Sequence, residues 1–426
     1  MMESHYSTFD EAFQLSDSLP LVVFNPYRQK VPIKLWLREL DEGAREQIFN
    51  LSCLEVVRGH VAIMPDAHMG IGCSVGTVFA TSGAVVPSTV GVDLGCGMIA
   101  LRFPDADTER CRNNPAMLKR LHQEIRDIIP TGFHEHGQAQ EWEGFHEFPL
   151  AGVETVYNQK KTDFEKVAHA KAPRQLGSLG GGNHFIELCV DEDEKLWFMV
   201  HSGSRGIGNL IGTHYMHVAK QLCNERGYRR PKDLDWLPLD SDEGQQYLKA
   251  VGWSQEYARQ NRHHMVRALM KLLKHDKEFN AIFHRGEKER ILKVENHHNF
   301  VQEEEHFGEK VWVHRKGAVS AQLGEWGILP GSMATGSYIV QGKGNTDSLC
   351  SCAHGSGRKM SRNAAKKNIS LQEVAEAMKG IVGEDPKLVH DEAPQAYKDL
   401  GLVMSQQTEL IEQMHRLKPL LNVKGY

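Results

Sequence analysis

The chain has 426 residues, of which 40% are hydrophobic and 25% are charged. This is the composition of an ordinary globular protein, and the length is ample for a sizeable core. The formal net charge of −5 argues against binding nucleic acid through bulk electrostatic attraction, although it leaves room for a local basic groove.

The N-terminal residues lack the basic and apolar segments of a signal peptide, and no apolar run is long enough to span a bilayer. We therefore expect a cytoplasmic protein with no membrane partner. The eight cysteines show no disulfide-framework spacing, so in a reducing compartment they are predicted to be free thiols or metal ligands.

Hydrophobic periodicity predicts both helices and strands along the chain, with no linker that would separate two domains. Residues 1–30 are poorly patterned and are interpreted as an N-terminal extension. The elements predicted next are strands at residues 31–36, 61–64, 74–80 and 84–86 and helices at residues 42–53 and 113–129. A glycine-rich segment that ends at residues 91–98 is typical of loops packed around a site.

The second half continues this alternation. The predicted elements are a strand at residues 196–200, helices at residues 209–225 and 240–275, a strand at residues 291–294, short strands up to residue 350 and a C-terminal helix at residues 396–417. The pattern predicts an α+β fold, in which one large domain contains mixed β-sheets flanked by helices.

The stretch from Ser351 to Arg358 places His354 directly before a Gly-Ser-Gly turn. Glycines let backbone N–H groups close on a phosphate, and a helix N-terminus favours an anion. Arg358, Arg362 and Lys366 recur every four residues, so they are predicted to share one face of the helix that follows. His354 could attack a bound phosphate, because imidazole is a competent nucleophile. The alternative is a histidine in a glycine-rich loop that has no chemical role.

Four polar clusters each lie at a strand-like stretch, and ligands at strand ends can converge on one site. They contain Asp93 with Cys96, His184, His201 and His298. Cysteine, histidine and carboxylate are ligands of divalent transition metals, and a thiolate such as Cys96 can bridge two ions. Structural explanations also exist, because a cysteine beside glycines is usually buried and a lone histidine is usually a satisfied hydrogen-bonding residue.

Several motifs occur in one order along the chain. They are MPDAHMG at residues 64–70, GVDLGCGM at 91–98, GNHFIE at 182–187, HSGSRG at 201–206, HN at 298–299, RKGA at 315–318, PGSM at 330–333 and HGSGR at 354–358. Together they resemble the RtcB family of RNA-splicing ligases, from about residue 31 to the end. Residues 1–30 precede the usual start of such chains, and Tyr426 follows the glycine at which they usually stop.

The resemblance implies a catalytic domain at residues 31–426 with the RtcB-like fold. It implies an RNA ligase that joins a 2′,3′-cyclic phosphate or 3′-phosphate end to a 5′-hydroxyl end, in tRNA splicing or RNA repair. The implied route passes through a covalent GMP–histidine and an RNA 3′-guanylate, with GTP as co-substrate and two Mn²⁺ ions. The ligands alone do not select manganese, because a Cys/His site binds zinc more tightly by intrinsic affinity.

The resemblance also assigns residues. His354 would receive GMP, and Asp93, Cys96, His184, His201 and His298 would bind the metals. The residues implied around GTP are Asn183, His184, Phe185, Ile186, Glu187, His298, Asn299, Pro330, Gly331, Ser332, Met333, Ser337, His354, Gly355, Ser356, Gly357, Tyr397 and Lys424. The residues expected to hold RNA phosphates are Arg205, Lys316 and Arg358.

Two other classes remain open. A dinuclear metallophosphoesterase would keep the metal ligands but would need no nucleophilic histidine, and a non-catalytic RNA-binding paralogue would not need the full ligand set. The RNA substrate, whether tRNA halves or other cleaved RNA, is also open, as is an activating protein partner. We expect a monomer.

Overall fold

A computed structural model describes residues 5–16, 18–157, 160–284 and 291–426. The strands are β1 His5–Tyr6, β2 Leu21–Val23, β3 Ile33–Leu35, β4 Val57–His68, β5 Val75–Thr81, β6 Ala84–Val85, β7 Gly97–Phe103, β8 Glu154–Tyr157, β9 Lys160–Asp163, β10 Phe185–Val190, β11 Leu196–Ser202, β12 Leu237–Pro238, β13 Leu292–His297, β14 Asn299–His306, β15 Glu309–Lys316, β16 Ala318–Ser320, β17 Trp326–Pro330, β18 Ser337–Gly342, β19 Ser351–Ala353 and β20 Ile411–Lys424.

The α-helices are α1 Phe9–Leu15, α2 Glu42–Ser52, α3 Thr108–Arg112, α4 Pro115–Ile128, α5 Phe164–Gln175, α6 Arg205–Glu225, α7 Asp242–His275, α8 Lys277–Phe283, α9 Arg362–Asn368, α10 Leu371–Ala377 and α11 Leu400–Ser405. In the part of the chain that the structure describes, no helix is both long enough and apolar enough to cross a bilayer.

Most strands belong to two seven-stranded sheets, as counted over the described residues. The first sheet has the order β1-β2-β3-β4-β5-β15-β14 and is mixed, since β1–β2 and β3–β4 are parallel pairs. The second has the order β13-β7-β11-β10-β20-β18-β17 and is antiparallel. The predicted α+β class with mixed sheets and flanking helices is confirmed.

Helices cover one face of the second sheet. Side chains alternate between the faces of a strand, so Ile186 packs with α4, α7 and α8 while Phe185 belongs to the core on the opposite face. In the same way Val200 faces the helices, and the next residue, His201, faces away from them. The face without helices is therefore the one on which polar side chains can meet.

The two sheets join at a seam formed by His297, His298 and Asn299. β13 ends at His297 in the second sheet, and β14 begins at Asn299 in the first, so His298 lies between them. The backbone N–H of His298 donates to Cys96 O at 2.9 Å, and that of Gly95 donates to Asn299 O at 2.8 Å. The loop before β7 is thus fixed to the seam.

Two expectations for the chain ends differ from the structure. The predicted C-terminal helix is wrong, because only Leu400–Ser405 is helical there and Ile411–Lys424 is a strand between β10 and β18. The strand predicted at residues 31–36 is present but is not the first, since β1 and β2 precede it in the same sheet. Residues 1–4 and 17 of the predicted extension lie outside the described residues, and the division at residue 30 stays a prediction.

The helix after the Gly-Ser-Gly turn also begins later than predicted. Ser361 is its N-cap, accepting from the N–H of Ala364, and the helix starts at Arg362. Arg358 therefore does not share a helix face with Arg362 and Lys366, and that prediction is wrong. The side-chain oxygen of Ser361 satisfies an N–H at this helix end, which fixes where the helix begins.

A buried arginine connects the first sheet to the strand that precedes His354. Arg315 of β15 donates to Glu304 Oε2 of β14 at 3.1 Å and to Ser351 Oγ of β19 at 2.9 Å. Its guanidinium also lies 5.0 Å from the centre of the Phe300 ring. Arg315 is fully buried and supplies a compensating charge to the largely buried Glu304, whose Oε2 also lies 3.1 Å from His306 Nε2.

Arg315→Met should lower the free energy of unfolding by about 3–5 kcal/mol, because it removes the arginine charge beside the largely buried Glu304 carboxylate and leaves that carboxylate with its contacts to His306 and Gln322. Urea denaturation of parent and variant measures the difference. Arg259→Met is the matched control: it breaks an ion pair with Glu256 at 2.7 Å whose side chains are both 40% exposed, and should cost less than about 1 kcal/mol. Equal losses in the two variants would contradict this assignment.

Candidate active site

Five side chains with metal-ligating atoms meet where the two sheets join. Asp93 and Cys96 lie in the loop before β7, His184 lies just before β10, His201 is near the end of β11, and His298 is at the seam. All are buried except Asp93, which is half-buried. Residues separated by up to about half the chain are therefore neighbours in the fold.

Cys96 Sγ lies at the centre of this group. It is 3.4 Å from His184 Nε2 and 3.3 Å from His201 Nε2. His184 Nε2 is also 3.0 Å from Asp93 Oδ2, and His201 Nε2 is 3.4 Å from His298 Nε2. Thiol, imidazole and carboxylate atoms gathered in this way fit a divalent transition metal.

Burial shifts the pKa values of three of these side chains, His201, His298 and Cys96. It lowers the pKa of His201 and His298 well below the ordinary value, and this keeps both imidazoles in the neutral form that can bind a metal. Burial, with the nearby charge of Asp93, raises the pKa of the Cys96 thiol well above its ordinary value. A metal bound to Cys96 would therefore have to displace the thiol proton.

Two buried side chains of helix α7 donate to or accept from the backbone of the loops that carry the ligand candidates. The fully buried Arg262 donates to Gly95 O at 3.2 Å and to Ser202 O at 3.0 Å. Its neighbour Asn261 accepts from the N–H of Gly177 at 2.7 Å. These contacts satisfy buried backbone groups, so they hold the loops in one arrangement. Sequence reasoning missed both residues, since nothing about them in the sequence distinguishes them from other helix residues.

His354 lies next to the metal-ligand candidates and is held by Asp66. The His354 Nδ1 atom is 2.6 Å from Asp66 Oδ2, and the same oxygen accepts from the N–H groups of His354 at 3.0 Å and Gly355 at 3.3 Å. The rings of His354 and His298 are 5.0 Å apart, centre to centre. Asp66 is fully buried and had no predicted role, although it lies in the MPDAHMG motif.

A cavity of about 260 Å³ opens beside His354, and we call it the nucleotide cavity after the GTP contacts predicted for most of its lining. The structure brings thirteen of the residues predicted around GTP to this lining, together with Arg358, His201, Asn422 and Glu392. The thirteen are Asn183, Phe185, Glu187, Pro330, Gly331, Ser332, Met333, His354, Gly355, Ser356, Gly357, Tyr397 and Lys424.

The remaining predicted nucleotide contacts lie elsewhere. Ile186 faces the helices, and Ser337 is buried in β18, paired with Pro330. His298 and Asn299 line a second cavity of about 260 Å³ that also reaches His354. His184 lines a third space, a groove beside Asp93. These positions surround the nucleotide cavity without lining it.

Glu187 and Phe185 both face the nucleotide cavity, as expected for residues two apart on a strand. Asn422 Nδ2 donates to Glu187 Oε2 at 2.7 Å, and Cys189 Sγ lies 3.0 Å from Oε1. Burial raises the pKa of Glu187 to about 7. A carboxylate here is costly to ionise unless a ligand supplies hydrogen-bond donors.

Glu392 organises the cationic wall of the same cavity. It accepts from Lys424 Nζ at 3.0 Å and Arg358 Nη1 at 3.0 Å, and the Tyr397 hydroxyl also donates to it. Arg362 Nη2 is 3.2 Å away. Although burial opposes ionisation, the charges of Lys424 and Arg362 hold the pKa of Glu392 at about 2. No sequence motif marked this residue.

The three predicted RNA-binding side chains all donate to protein groups. Lys316 Nζ donates to the carbonyls of Ile71 at 2.6 Å and Ser88 at 2.9 Å, and its side chain is buried. Arg205 Nη2 donates to Gly132 O at 2.8 Å. Arg358 is engaged by Glu392. Lys316 and Arg358 line the cavities around His354, whereas Arg205 lines the groove beside Asp93.

Comparison with known proteins identifies the family of this chain. A family model described as tRNA-splicing ligase RtcB matches residues 47–425. The chain is 38% identical over 408 residues to the RNA-splicing ligase RtcB of Escherichia coli strain K12, covering 93% of this chain and 98% of the relative.

More distant relatives come from other groups of organisms. The chain is 30% identical over 471 residues to the tRNA-splicing ligase RtcB of Methanococcus maripaludis, covering 93% and 95% of the two chains. It is 31% identical over 434 residues to the RNA-splicing ligase RtcB homolog 1 of Entamoeba histolytica, covering 85% and 80%. The resemblance inferred from the motifs is confirmed, and this chain belongs to the RtcB family.

Proposed function

We propose that this chain is a GTP-dependent RNA ligase that joins 2′,3′-cyclic phosphate or 3′-phosphate ends to 5′-hydroxyl ends in tRNA splicing or RNA repair. The observation that supports it best is the position of His354. Its ring lies between the nucleotide cavity and the metal-ligand candidates, and Asp66 holds one ring nitrogen. The names of the bacterial and archaeal relatives, RNA-splicing and tRNA-splicing ligases, support the same reaction class.

In the first step, His354 acts as the nucleophile. With Nδ1–H donating to Asp66, the lone pair of Nε2 is free to attack the α-phosphorus of GTP. A P–N bond forms, the bond from the α-phosphorus to the bridging oxygen breaks, and pyrophosphate leaves. Asp66 stabilises the positive charge that the ring acquires when Nε2 is phosphorylated, and it also fixes the orientation of the ring.

Two further steps complete ligation. An oxygen of the RNA 3′-phosphate attacks the phosphorus of the His354 adduct, the P–N bond breaks, and an RNA 3′-guanylate forms. The 5′-hydroxyl oxygen of the second RNA then attacks the 3′-phosphorus, its proton is lost, and GMP leaves. A 2′,3′-cyclic end must first be hydrolysed to a 3′-phosphate.

The metal-ligand candidates have a separate part in the proposal. Two manganese ions bound by Asp93, Cys96, His184, His201 and His298 would neutralise charge on the reacting phosphates. The central position of Cys96 Sγ between two imidazoles supports a thiolate shared by both ions. The lowered pKa values of His201 and His298 support neutral imidazole ligands.

We further propose that Phe185 and Glu187 select the guanine base. The phenyl ring can cover the face of the base, while Glu187 accepts from its N1–H and N2–H₂ donors. Adenine has an acceptor at N1, so it would leave the buried carboxylate unpaired. Asn422 donates to one carboxylate oxygen of Glu187, and each oxygen has more than one acceptor site, so acceptor capacity remains.

His354→Ala should abolish both the protein–GMP adduct and ligation, because it removes the attacking nitrogen. GTP labelled at the α-phosphate, followed by mass spectrometry of the acid-labile adduct, measures this. Asp66→Asn should slow labelling while GTP still binds. His217→Ala, on the exposed side of α6, is the matched control and should label like the parent. An adduct on another residue, or one that persists in His354→Ala, would rule out this nucleophile, whereas the absence of any adduct in the parent would favour the hydrolase alternative.

Cys96→Ala should lose both manganese ions, whereas His298→Ala should mainly weaken one, because only the thiolate is proposed to touch both. Metal content after loading with Mn²⁺ and dialysis gives the answer. Cys111→Ala removes an equally buried thiol in α3, away from the site, and should keep both ions. Full occupancy in Cys96→Ala would contradict the bridging thiolate.

Glu187→Gln should slow His354 labelling by GTP and relax the preference over ATP, because the amide offers a donor where guanine also has donors. Labelling rates with the two nucleotides, measured in parallel, test this. Unchanged rate and unchanged preference would mean that Glu187 does not read the base.

The same variant provides its own structural control. The folded-state pKa of about 7 lies above the value of 4.5 expected for an unfolded glutamate, so this group stabilises the fold at low pH and loses that contribution as the pH rises through 7. Glu187→Gln should therefore have a higher melting temperature than the parent at pH 8, and the gain should shrink near pH 5. A variant that is less stable at pH 8 would instead indicate a misfolded cavity.

A further inference from the structure

A groove of about 770 Å³ lies beside the metal-ligand candidates and borders the nucleotide cavity, with which it shares Arg362 and Glu392. We call it the lateral groove. Asp93 and His184 form part of its wall, so it leads directly to the proposed metal site. Phe133, Arg205, Arg362 and Lys366 also line it. The proposed chemistry assigns Phe133 no role.

Phe133 is the most exposed large hydrophobic side chain among the described residues, with 99% of its surface accessible. A phenyl ring in that state contributes almost nothing to the core. Its position is nevertheless fixed, because the N–H of Gly132 donates to Gly180 O at 2.8 Å and the carbonyl of Gly132 accepts from Arg205 at 2.8 Å. The ring therefore projects from a turn that is held on both sides.

The backbone of this turn allows little change. Gly132 has φ = +61°, and a Cβ atom there would lie 2.3 Å from Tyr426 O. The Tyr426 ring also borders the groove, but it lies 5.0 Å from the Arg126 guanidinium and shares a hydrogen bond with it. Of these two aromatic rings, Phe133 is therefore the one whose faces are open to the groove.

The groove also presents cations that can be exchanged. Lys366 lies 3.8 Å from Asp391 and is 57% exposed, and a long ion pair of an exposed lysine contributes little, so a phosphate can compete for this cation. Arg362 is 48% exposed and lies 3.3 Å from Asp391 and 3.2 Å from the buried Glu392, so it can meet a phosphate while it keeps its contact with Glu392. Cations that follow a nucleic-acid backbone, combined with an open aromatic face, are the usual elements of a single-strand binding site.

We propose that Phe133 stacks on an unpaired base near the end of an RNA strand whose backbone lies in the lateral groove. The inference rests on the proposed function, in which RNA ends must reach the metal site beside Asp93 and His184. Stacking supplies affinity without base specificity, because every base has a π-face. That property suits an enzyme that joins ends of different sequence.

The test uses two short single-stranded RNAs, one with a 3′-phosphate and one with a 5′-hydroxyl, each fluorescently labelled at the distal end. Phe133→Ala should weaken binding of one strand by roughly 5- to 150-fold, the range that corresponds to one stacked base. Phe133→Trp should restore binding, whereas Phe133→Leu should restore it only in part. The strand that responds identifies which RNA end occupies the groove.

Abasic strands separate stacking from a general loss of binding. Each strand is made with a single abasic residue at the first, second or third position from the end. At the stacked position the parent should lose affinity, and Phe133→Ala should bind that strand as the parent does. If the Ala variant weakens every abasic strand equally, or binds all strands like the parent, the stacking role is wrong.

Two controls keep this test independent of the proposed chemistry. Tyr27→Ala removes another aromatic ring, 96% exposed and outside the groove, and should leave RNA binding unchanged. Labelling of His354 by GTP and Mn²⁺ needs no RNA and should be equal in parent and Phe133→Ala. Failure of the parent to label would refute the proposed function, while normal labelling with unchanged RNA binding in Phe133→Ala would refute only the stacking.

Discussion

The hydrogen bonds between the loop before β7 and the seam hold the two sheets together and shape the site at the same time. Besides the bonds of Cys96 and Gly95 to the seam, Asn299 Nδ2 donates to Asp93 O at 3.3 Å. A Cβ atom on Gly97 would lie 2.1 Å from Asn296 O, so the start of β7 approaches the end of β13 more closely than any residue with a side chain would allow. The same contacts therefore fix both the packing of the two sheets and the positions of the ligand candidates. As a result, Asp93, Cys96 and His298 cannot move independently of the fold.

The nucleotide cavity contains two buried carboxylates in opposite electrostatic environments. Glu187 accepts from the neutral amide of Asn422, and burial raises its pKa; Glu392 is surrounded by Lys424, Arg358 and Arg362, which overcome the effect of burial. A ligand with hydrogen-bond donors would relieve the first carboxylate, whereas ligand phosphates would compete with the second for its cations. This division would allow one small cavity to accept a neutral hydrogen-bond donor on one side and an anion on the other.

Sequence reasoning could group the ligand candidates because several cysteine, histidine and aspartate residues occur together at strand ends in glycine-rich loops. It missed Asp66, which acts on His354 from 288 positions away, and Glu392, whose partners come together only in the fold. The C-terminal prediction failed for a different reason. The apolar spacing of residues 411–417 is compatible with a helix, and only pairing with the neighbouring strands makes this segment part of β20, which local propensity cannot reveal.

During synthesis, β20 leaves the ribosome after every other strand of its sheet. Until then β10 and β18, which it separates in the finished sheet, each present an unpaired edge. Such edges in a nascent protein are prone to aggregation, so this stage is the one at which a chaperone would matter most. β20 also brings Lys424 and Asn422 to the cavity, and the metal-ligand candidates all come from earlier segments. A growing chain can therefore bring its metal-ligand candidates together before the nucleotide cavity is complete.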